Sequence, residues 1–310
     1  MSARGGAATA GRGTASDRVP SLVLLFSASL WGLSWWPMQQ LGALGVPGPA
    51  LTLMAYGGVS LLGLPLLWHE RAQWRQRLDQ VLLIAVLGGW AAASFVVAMT
   101  QGDVVREMLL FYLAPAWSVL GGRFLLKERL GRRRMAAVTL ALAGAYLVIR
   151  GNGSAPGPDA PGGITTADLM ALSSSITFAG NNLVTRAATQ IPVASKALFL
   201  MLGCALASAL LMAASATPLP ALSGAAALGV GAFALVWIVG GSSTTTYGMT
   251  HLEAGRSAVI LLAELVSAVA SASLVKGRIP SVPELVGGGL ILGAAALDII
   301  ESTHPPREPA

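Results

Sequence analysis

The chain has little charge, little histidine and almost no cysteine. Only 11% of its 310 residues are charged, against about 25% in a typical soluble domain. The single cysteine, Cys204, excludes an intramolecular disulfide. With 54% hydrophobic residues and a mean hydropathy of +0.68, the composition is typical of a membrane protein and not of one soluble core.

Catalytic and cofactor-binding motifs are missing as well. The sequence has no HExxH motif, no GxSxG motif and no P-loop, and its three histidines are scattered. Gly151-x-Gly153 follows no strand and lies in no βαβ unit, so it is interpreted as linker. We therefore predict that the protein is not an enzyme and that it binds no metal and no cofactor.

Apolar runs separated by short polar connections predict transmembrane helices, each of which needs roughly 20 mostly apolar residues. These runs, numbered here as spans 1 to 10, lie at about 21–41, 50–68, 80–101, 104–125, 133–150, 166–186, 193–214, 221–247, 256–275 and 282–301. The predicted fold is an all-α polytopic membrane protein with ten transmembrane helices.

The basic residues indicate how these spans are oriented, because cytoplasmic loops carry an excess of Lys and Arg. With the N terminus inside, 16 of the 20 basic residues fall on the inner side. The four on the outer side are Arg106, Arg150, Lys276 and Arg278. The net charge of +6 is thus a topology signal that predicts both termini in the cytoplasm, and no nucleic-acid partner is expected.

The remaining segments complete the predicted organisation. Residues 1–20 are predicted to be a flexible cytoplasmic tail, not a signal peptide, since the apolar stretch after them continues without a cleavage site. Residues 151–165, rich in Gly and Pro, are predicted to be a periplasmic linker. This linker separates a first five-helix repeat, 21–150, from a second, 166–301, and 302–310 form a second cytoplasmic tail.

Two segments of the chain resemble each other. Residues 98–106 read AMTQGDVVR and residues 248–256 read GMTHLEAGR; the match then continues at an offset of 149 and aligns Gly144 with Gly293. Because each copy lies in a half with five spans, the second copy must enter the membrane from the opposite side. We therefore predict two inverted repeats, an arrangement typical of secondary transporters with a site near mid-membrane.

Small residues on spans 5 and 10 predict close helix packing. Gly289 and Gly293 form a GxxxG pattern, and Gly144 lies among alanines. Faces of this kind let helices approach closely. Packing between the two halves is the first interpretation, and packing between protomers is the alternative.

Glu264 lies near the middle of span 9, in VILLAELVSAV. A charged side chain there costs about 2.5–3.5 kcal/mol on insertion scales, so such residues usually face a cavity and mark ion or substrate pathways. Glu264 is therefore a candidate for the substrate site and for proton coupling. A structural carboxyl group bonded to a neighbouring helix is the alternative.

Spans 1 and 6 carry polar and aromatic residues at corresponding positions. Trp31 and Ser34 are three residues apart and share a helix face; Trp35 is either part of the same wall or part of an interfacial aromatic belt. Asn181 and Asn182 lie 147 residues later, and amides at that depth need a helix or ligand partner. We predict that all five line a substrate cavity.

Spans 3 and 4 add further candidates for this cavity. Trp90 and Ser94 are four residues apart in span 3, and Met108 and Tyr112 are four apart in span 4. Pro115 removes a backbone hydrogen bond and predicts a kink, so it is a candidate hinge.

Span 8 combines aromatic, hydroxyl and glycine residues. Trp237, Ser243 and Tyr247 are candidates for the cavity wall, and Gly240 and Gly241 are candidates for a hinge. The Ser/Thr run in this span has a second interpretation, since such side chains can bond their own backbone carbonyls.

The sequence resembles the ten-helix drug/metabolite transporter superfamily over nearly the whole chain after residue 20. The features that carry the resemblance are Trp31-Gly32-Leu33-Ser34 in span 1, Pro115 in span 4, Glu128-Arg129 in the following turn and Gly144 in span 5. Within this superfamily it most resembles the aromatic amino-acid exporter branch, YddG-like, of bacterial inner membranes. Span 9 departs from the pattern, since Glu264-Leu265 lies where members often have proline.

The resemblance implies two inverted five-helix halves around a cavity lined by spans 1, 3, 4, 6, 8 and 9. It implies a multi-pass protein of the bacterial inner membrane that exports aromatic and other neutral amino acids, with an amino acid and the lipid bilayer as partners. A monomer is compatible with this function. Export of cationic drugs or other metabolites is one alternative, and a membrane receptor that binds a solute without moving it is another.

Overall fold

The structure is a computed structural model that describes residues 18–125, 132–150, 164–277 and 279–303. The predicted N-terminal tail except its last three residues, most of the linker, and residues 304–310 of the C-terminal tail lie outside the described residues. So do Glu128 and Arg129 of the sequence resemblance.

The described residues fold into helices, and no strand occurs among them, which confirms the all-α prediction. The helices of the first half are Arg18–Gly32, Trp35–Ala43, Gly48–Leu62, Leu64–His69, Arg71–Trp74, the 3₁₀ turn Arg75–Arg77, Leu78–Gln101, Val104–Phe111, Ala114–Leu125 and Arg132–Arg150. Those of the second half are Thr166–Ala187, Val193–Ala214, Gly224–Phe233, the π-helix Ala234–Gly241, Ser242–His251, Ala254–Leu261, Ala263–Lys276 and Val282–Thr303.

Six helical segments are long and apolar enough to cross a membrane: Arg18–Ala43, Arg71–Gln101, Val104–Gly121, Val193–Ala214, Gly224–His251 and Val259–Lys276. Three apolar helices are shorter, Gly48–Leu62, Met135–Ile149 and Val282–Leu297. Helix Thr166–Ala187 is long enough at 22 residues but carries hydroxyl and amide side chains along its length. A multi-pass membrane protein is therefore supported, and ten crossings stay a prediction.

Side-chain caps define several of the helix ends. Asp103 accepts a hydrogen bond from the Arg106 backbone N–H at 3.0 Å and starts helix Val104–Phe111. Thr165 and Asp168 form a capping box at the start of Thr166–Ala187. Gly277, at φ +63°, ends helix Ala263–Lys276 in the left-handed conformation that glycine adopts without strain.

Three spans are interrupted near their middles. Span 1 breaks at Leu33 and Ser34, span 4 at Tyr112 and Leu113, and span 9 at Leu262. The break in span 4 immediately precedes Pro115, whose missing N–H leaves the i−4 carbonyl without its helical donor. Span 8 is not broken but widens into the π-helix that ends at Gly241.

The helices pack mainly between the two halves of the chain. Span 3 packs on spans 6 and 7, span 2 on span 7, span 5 on span 10, span 1 on spans 8 and 9, and span 4 on spans 6 and 9. The largest group of buried side chains runs through both halves, from Trp35 and Met38 to Leu265 and Ile291. The halves therefore share one core.

Glycines permit the closest of these approaches, and of the three glycines predicted to do so, only Gly144 is among them. A Cβ atom on Gly203 would clash with the Ala85 backbone, and one on Gly144 would clash with the Gly287 carbonyl. Gly289 and Gly293 have open space around them, so the prediction that the GxxxG pair packs the halves together is wrong. Gly287 meets span 5 instead, because span 10 presents a different face.

We expect Gly203→Ala to destabilise the fold, because spans 3 and 7 would have to separate to admit one methyl group. Such overpacking typically costs about 1–3 kcal/mol, which thermal unfolding of the purified protein would detect. The matched control is Gly58→Ala, at a helical glycine with no atom near its Cβ position; it should be neutral or stabilising by up to about 1 kcal/mol. Equal shifts for both variants would contradict the close approach.

Candidate functional site

The candidate site lies where spans 1 and 4 both pack on span 9. The Tyr112 hydroxyl donates a hydrogen bond to the Leu261 carbonyl at 3.1 Å and lies beside the Glu264 carboxyl group. Gly32 packs directly on the Glu264 backbone, since a Cβ atom there would meet the Glu264 carbonyl oxygen. Two candidates predicted separately, Tyr112 and Glu264, are therefore neighbours, next to the breaks in all three spans.

Tryptophan side chains tie the surrounding spans together. Each of five indole N–H groups donates a hydrogen bond to a residue on another span, and each ring is at least partly buried. The pairs are Trp31 with Thr245 Oγ1 at 3.3 Å, Trp35 with Ser271 Oγ at 3.0 Å, Trp90 with Ser173 Oγ at 3.2 Å, Trp117 with Ser175 Oγ at 3.0 Å, and Trp237 with the Leu30 carbonyl at 2.8 Å. All five join spans of the set 1, 3, 4, 6, 8 and 9.

Hydroxyl groups complete the contact between spans 1 and 8. The Ser27 hydroxyl donates to the Gly241 carbonyl at 3.0 Å and lies 2.6 Å from the Thr245 hydroxyl. Thr244 donates to Ser27 at 3.0 Å. Gly241, a predicted hinge, packs against the Trp31 ring, and a side chain there would displace that ring.

Spans 3 and 6 form a second contact between the halves, in addition to that between spans 1 and 8. Ser94 is buried and donates to the Trp90 carbonyl at 2.7 Å, within its own helix. Asn181 is buried beside Gly88, and its Oδ1 has no hydrogen-bond partner among the described residues. Asn182, one residue on, is half-buried.

The remaining predicted residues are placed less centrally. Met108 and Ser34 are buried, and Met108 belongs to the apolar core. Ser243 and Tyr247 are exposed, and the Tyr247 ring packs on its own helix against His251 at 4.3 Å. In span 8, the side chains that contact span 1 are those of Thr244 and Thr245. The sequence predicts Ser243 and Tyr247 for this wall instead.

A buried ion pair joins spans 4 and 6 at their predicted outer ends. Arg106 donates through Nε to Asp168 Oδ1 at 2.5 Å and through Nη2 to Oδ2 at 2.7 Å. Asp168 also accepts from the Thr165 backbone N–H at 2.7 Å, and both side chains are nearly or fully buried. The carboxylate therefore has several donors, as a charge removed from water requires.

Glu107 belongs to the same cluster. Its side chain is 1% exposed, its carboxyl group neighbours that of Asp168, and its Oε2 has no hydrogen-bond partner among the described residues. Gly102 makes room for it, since a Cβ atom there would meet the Glu107 carboxyl group. Glu107 therefore places a second buried carboxyl group beside the Arg106–Asp168 pair.

Sequence reasoning missed Asp168, Glu107 and the serines that receive the indole bonds. Two signals for them are present in the sequence. Thr165-x-x-Asp168 has the spacing of a capping box, and Ser173, Ser174 and Ser175 form an uninterrupted hydroxyl run inside a span. Neither signal specifies which other helix supplies the partner.

Comparison with known proteins gives one family match and similarity to solved structures. Residues 19–150 match the EamA-like transporter family, a family of membrane transporters without enzymatic activity, and the second half lies outside that match. Among curated proteins, none matches the chain significantly. Sixteen chains of solved structures match it; one, a crystal structure of a protein, superposes with a TM-score of 0.58 at 22% identity and covers 90% of this chain and 96% of that one. The fold is therefore shared with solved proteins, and the first half of the chain is similar to a family of membrane transporters.

Removing one partner of the buried ion pair should cost far more than removing a surface charge. We expect Arg106→Met to lower the free energy of unfolding by about 3–5 kcal/mol, because Asp168 would stay buried without its cation. The double variant Arg106→Met/Asp168→Asn should lose less than the sum of the two single losses. The control Arg186→Met removes an exposed arginine from the helix that carries Asp168, and should change stability by less than about 0.5 kcal/mol. Strictly additive losses would contradict the coupling.

Proposed function

We propose that the protein is a secondary transporter that exports aromatic and other neutral amino acids by alternating access through a central cavity between spans 1, 3, 4, 6, 8 and 9. The observation that carries this proposal is the meeting of Tyr112 and Glu264 at the breaks of spans 4 and 9. Broken helices at mid-membrane are a recurrent feature of transporter substrate sites.

The packing supports two inverted repeats. At the offset of 149 found in the sequence, Tyr112 corresponds to Leu261, and these two residues contact each other. Equivalent residues touch only near an axis that relates the two copies. Other contacts come in equivalent pairs. The contact of span 1 with span 8 corresponds to that of span 6 with span 3, and the contact of span 1 with span 9 corresponds to that of span 6 with span 4. Spans 2 and 7, and spans 5 and 10, are equivalent spans that contact each other across the axis.

The side chains at the centre suit an aromatic amino acid. Half-buried rings of Trp31, Trp90 and Trp237 offer apolar faces for an aromatic side chain. Glu264 would hold the ammonium group, assisted by the Tyr112 ring, and Asn181, whose oxygen lacks a partner among the described residues, would bond the substrate or an ordered water.

Entry of such a substrate requires movement between the halves. The enclosed space beside Tyr112 is a crevice of about 10 Å³ between spans 4, 5 and 10, far smaller than a phenylalanine. We propose that the indole hydrogen bonds between halves open and close in turn, and that the Arg106–Asp168 pair, which joins the halves near the outer surface, holds the outer gate. The protein would work in the bacterial inner membrane with both termini cytoplasmic, and a monomer contains the whole site.

A second candidate function is export of cationic drugs or other small metabolites. The Glu264 carboxyl group beside the aromatic ring of Tyr112 favours it, because such a pair binds a cation without needing a substrate carboxylate. A receptor that binds a solute without transport would use the same residues, and it would show binding without flux.

Counterflow tests the transport proposal. Proteoliposomes with the purified protein should accumulate radiolabelled phenylalanine against an unlabelled internal pool, whereas empty liposomes should not. Trp31→Ala and Tyr112→Ala should reduce the rate at least tenfold, because each removes a central ring and a tie between spans. Trp36→Ala is the matched control, since that ring is on the same span but 49% exposed. Normal transport by both central variants would refute the site, and accumulation of cations in place of phenylalanine would favour the second function.

Glu264→Gln tests proton coupling. The amide keeps the shape of the side chain but cannot bind and release a proton, so any dependence of transport on a pH gradient should disappear while counterflow continues. Glu107→Gln serves as the comparison, because it alters another buried carboxyl group, one that belongs to the Arg106 cluster. Loss of the pH response in Glu107→Gln alone would move the coupling site to the Arg106 cluster.

A further inference from the structure

A groove lies on the predicted inner side of the molecule, away from the central site. Its apolar walls are Leu64, Pro65, Leu67, Trp68, Trp74 and Phe199, and its volume is about 550 Å³. This volume is in the range of small-molecule sites in proteins. The groove lies between the short helices that follow span 2 and the start of span 7, so both halves contribute to it.

The floor of the groove is held in place by specific contacts. The Trp74 indole donates to the Leu67 carbonyl at 2.9 Å, and its ring packs edge-on against Phe199 at 5.1 Å. Beside it, Ser195 donates a hydrogen bond to Glu70 at 2.5 Å and joins spans 2 and 7. The apolar surface is therefore preformed, and no other described segment covers it.

Two arginines border the groove. The Arg71 guanidinium lies 4.6 Å from the centre of the Trp68 ring, and that of Arg75 lies 5.8 Å from the centre of the Trp74 ring. Both side chains are exposed, and neither forms an ion pair in the described part of the chain. Glu70 precedes Arg71 in the sequence, but its carboxyl group accepts a hydrogen bond from Ser195 and forms no ion pair with either arginine in the described part of the chain.

We propose that this groove binds one anionic phospholipid, with the phosphodiester on Arg71 and Arg75 and an acyl chain against the apolar walls. Guanidinium groups bind phosphate through paired, charge-assisted hydrogen bonds. Basic pockets between membrane helices on the cytoplasmic side bind anionic headgroups. Trp68, 65% exposed, has the amphipathic ring that prefers the level of the headgroups. A bound lipid would contact Trp68 of the first half and Phe199 of the second.

Native mass spectrometry of the detergent-purified full chain tests the site without any transport measurement. Phosphatidylglycerol should bind as a single tight adduct, whereas phosphatidylcholine with the same acyl chains and free glycerol phosphate should not. Arg71→Gln/Arg75→Gln should weaken that adduct roughly 25-fold, because each basic residue near an anionic surface contributes an attraction of roughly fivefold. Arg71→Lys/Arg75→Lys should give an intermediate affinity, because the charge stays and the paired geometry is lost.

The matched control is Arg18→Gln/Arg186→Gln, which removes the same charge from two other exposed arginines on the inner side and should bind phosphatidylglycerol normally. Unliganded variants should unfold at the temperature of the unmodified protein. Equal binding of phosphatidylcholine, equal loss in the control, or full binding by the glutamine variant would overturn the proposal. Binding of glycerol phosphate as tight as that of the lipid would also overturn it, since it would show an anion site without a role for the acyl chain.

Discussion

Hydrogen-bonding groups inside a membrane-spanning bundle have no bulk water to bond, so each needs a partner within the protein. In this chain the partners of five tryptophan indoles lie on other spans. The same holds for Ser27 with the end of the π-helix and for Arg106 with Asp168. Because these bonds have defined lengths and directions, they fix the register and rotation of helices whose apolar surfaces would otherwise slide against each other.

The same constraint explains why the helix breaks and the candidate site coincide. A broken helix releases carbonyl groups, and these are stable only where the protein or a cavity satisfies them. At the break of span 9 the Leu261 carbonyl accepts the Tyr112 hydroxyl. The Tyr112 hydroxyl, the Leu261 carbonyl and the Glu264 carboxyl group therefore lie together at these breaks.

The two halves use similar packing for different chemistry. Pro115 and Glu264 occupy corresponding positions at the offset of 149, one supplying a backbone break and the other a carboxyl group. Arg106 is buried with Asp168, while Arg256, its counterpart in the repeat, is exposed. The two halves therefore place different side chains in similar packing positions.

The sequence by itself determined the class of fold, and it predicted the residues of the candidate site. Apolar runs, the scarcity of charge and Pro115 predicted a helical membrane protein with an interruption in span 4, because these properties act within single helices. Trp31, Tyr112 and Glu264 were recognised as unusual at their depth for the same reason. Only the tertiary structure decided that Thr244 and Thr245, not Ser243 and Tyr247, face span 1, that Gly287 rather than Gly289 meets span 5, and that Asp168 partners Arg106. Helical periodicity tells which residues share a face, but which face meets which neighbour depends on the packing of all the other helices.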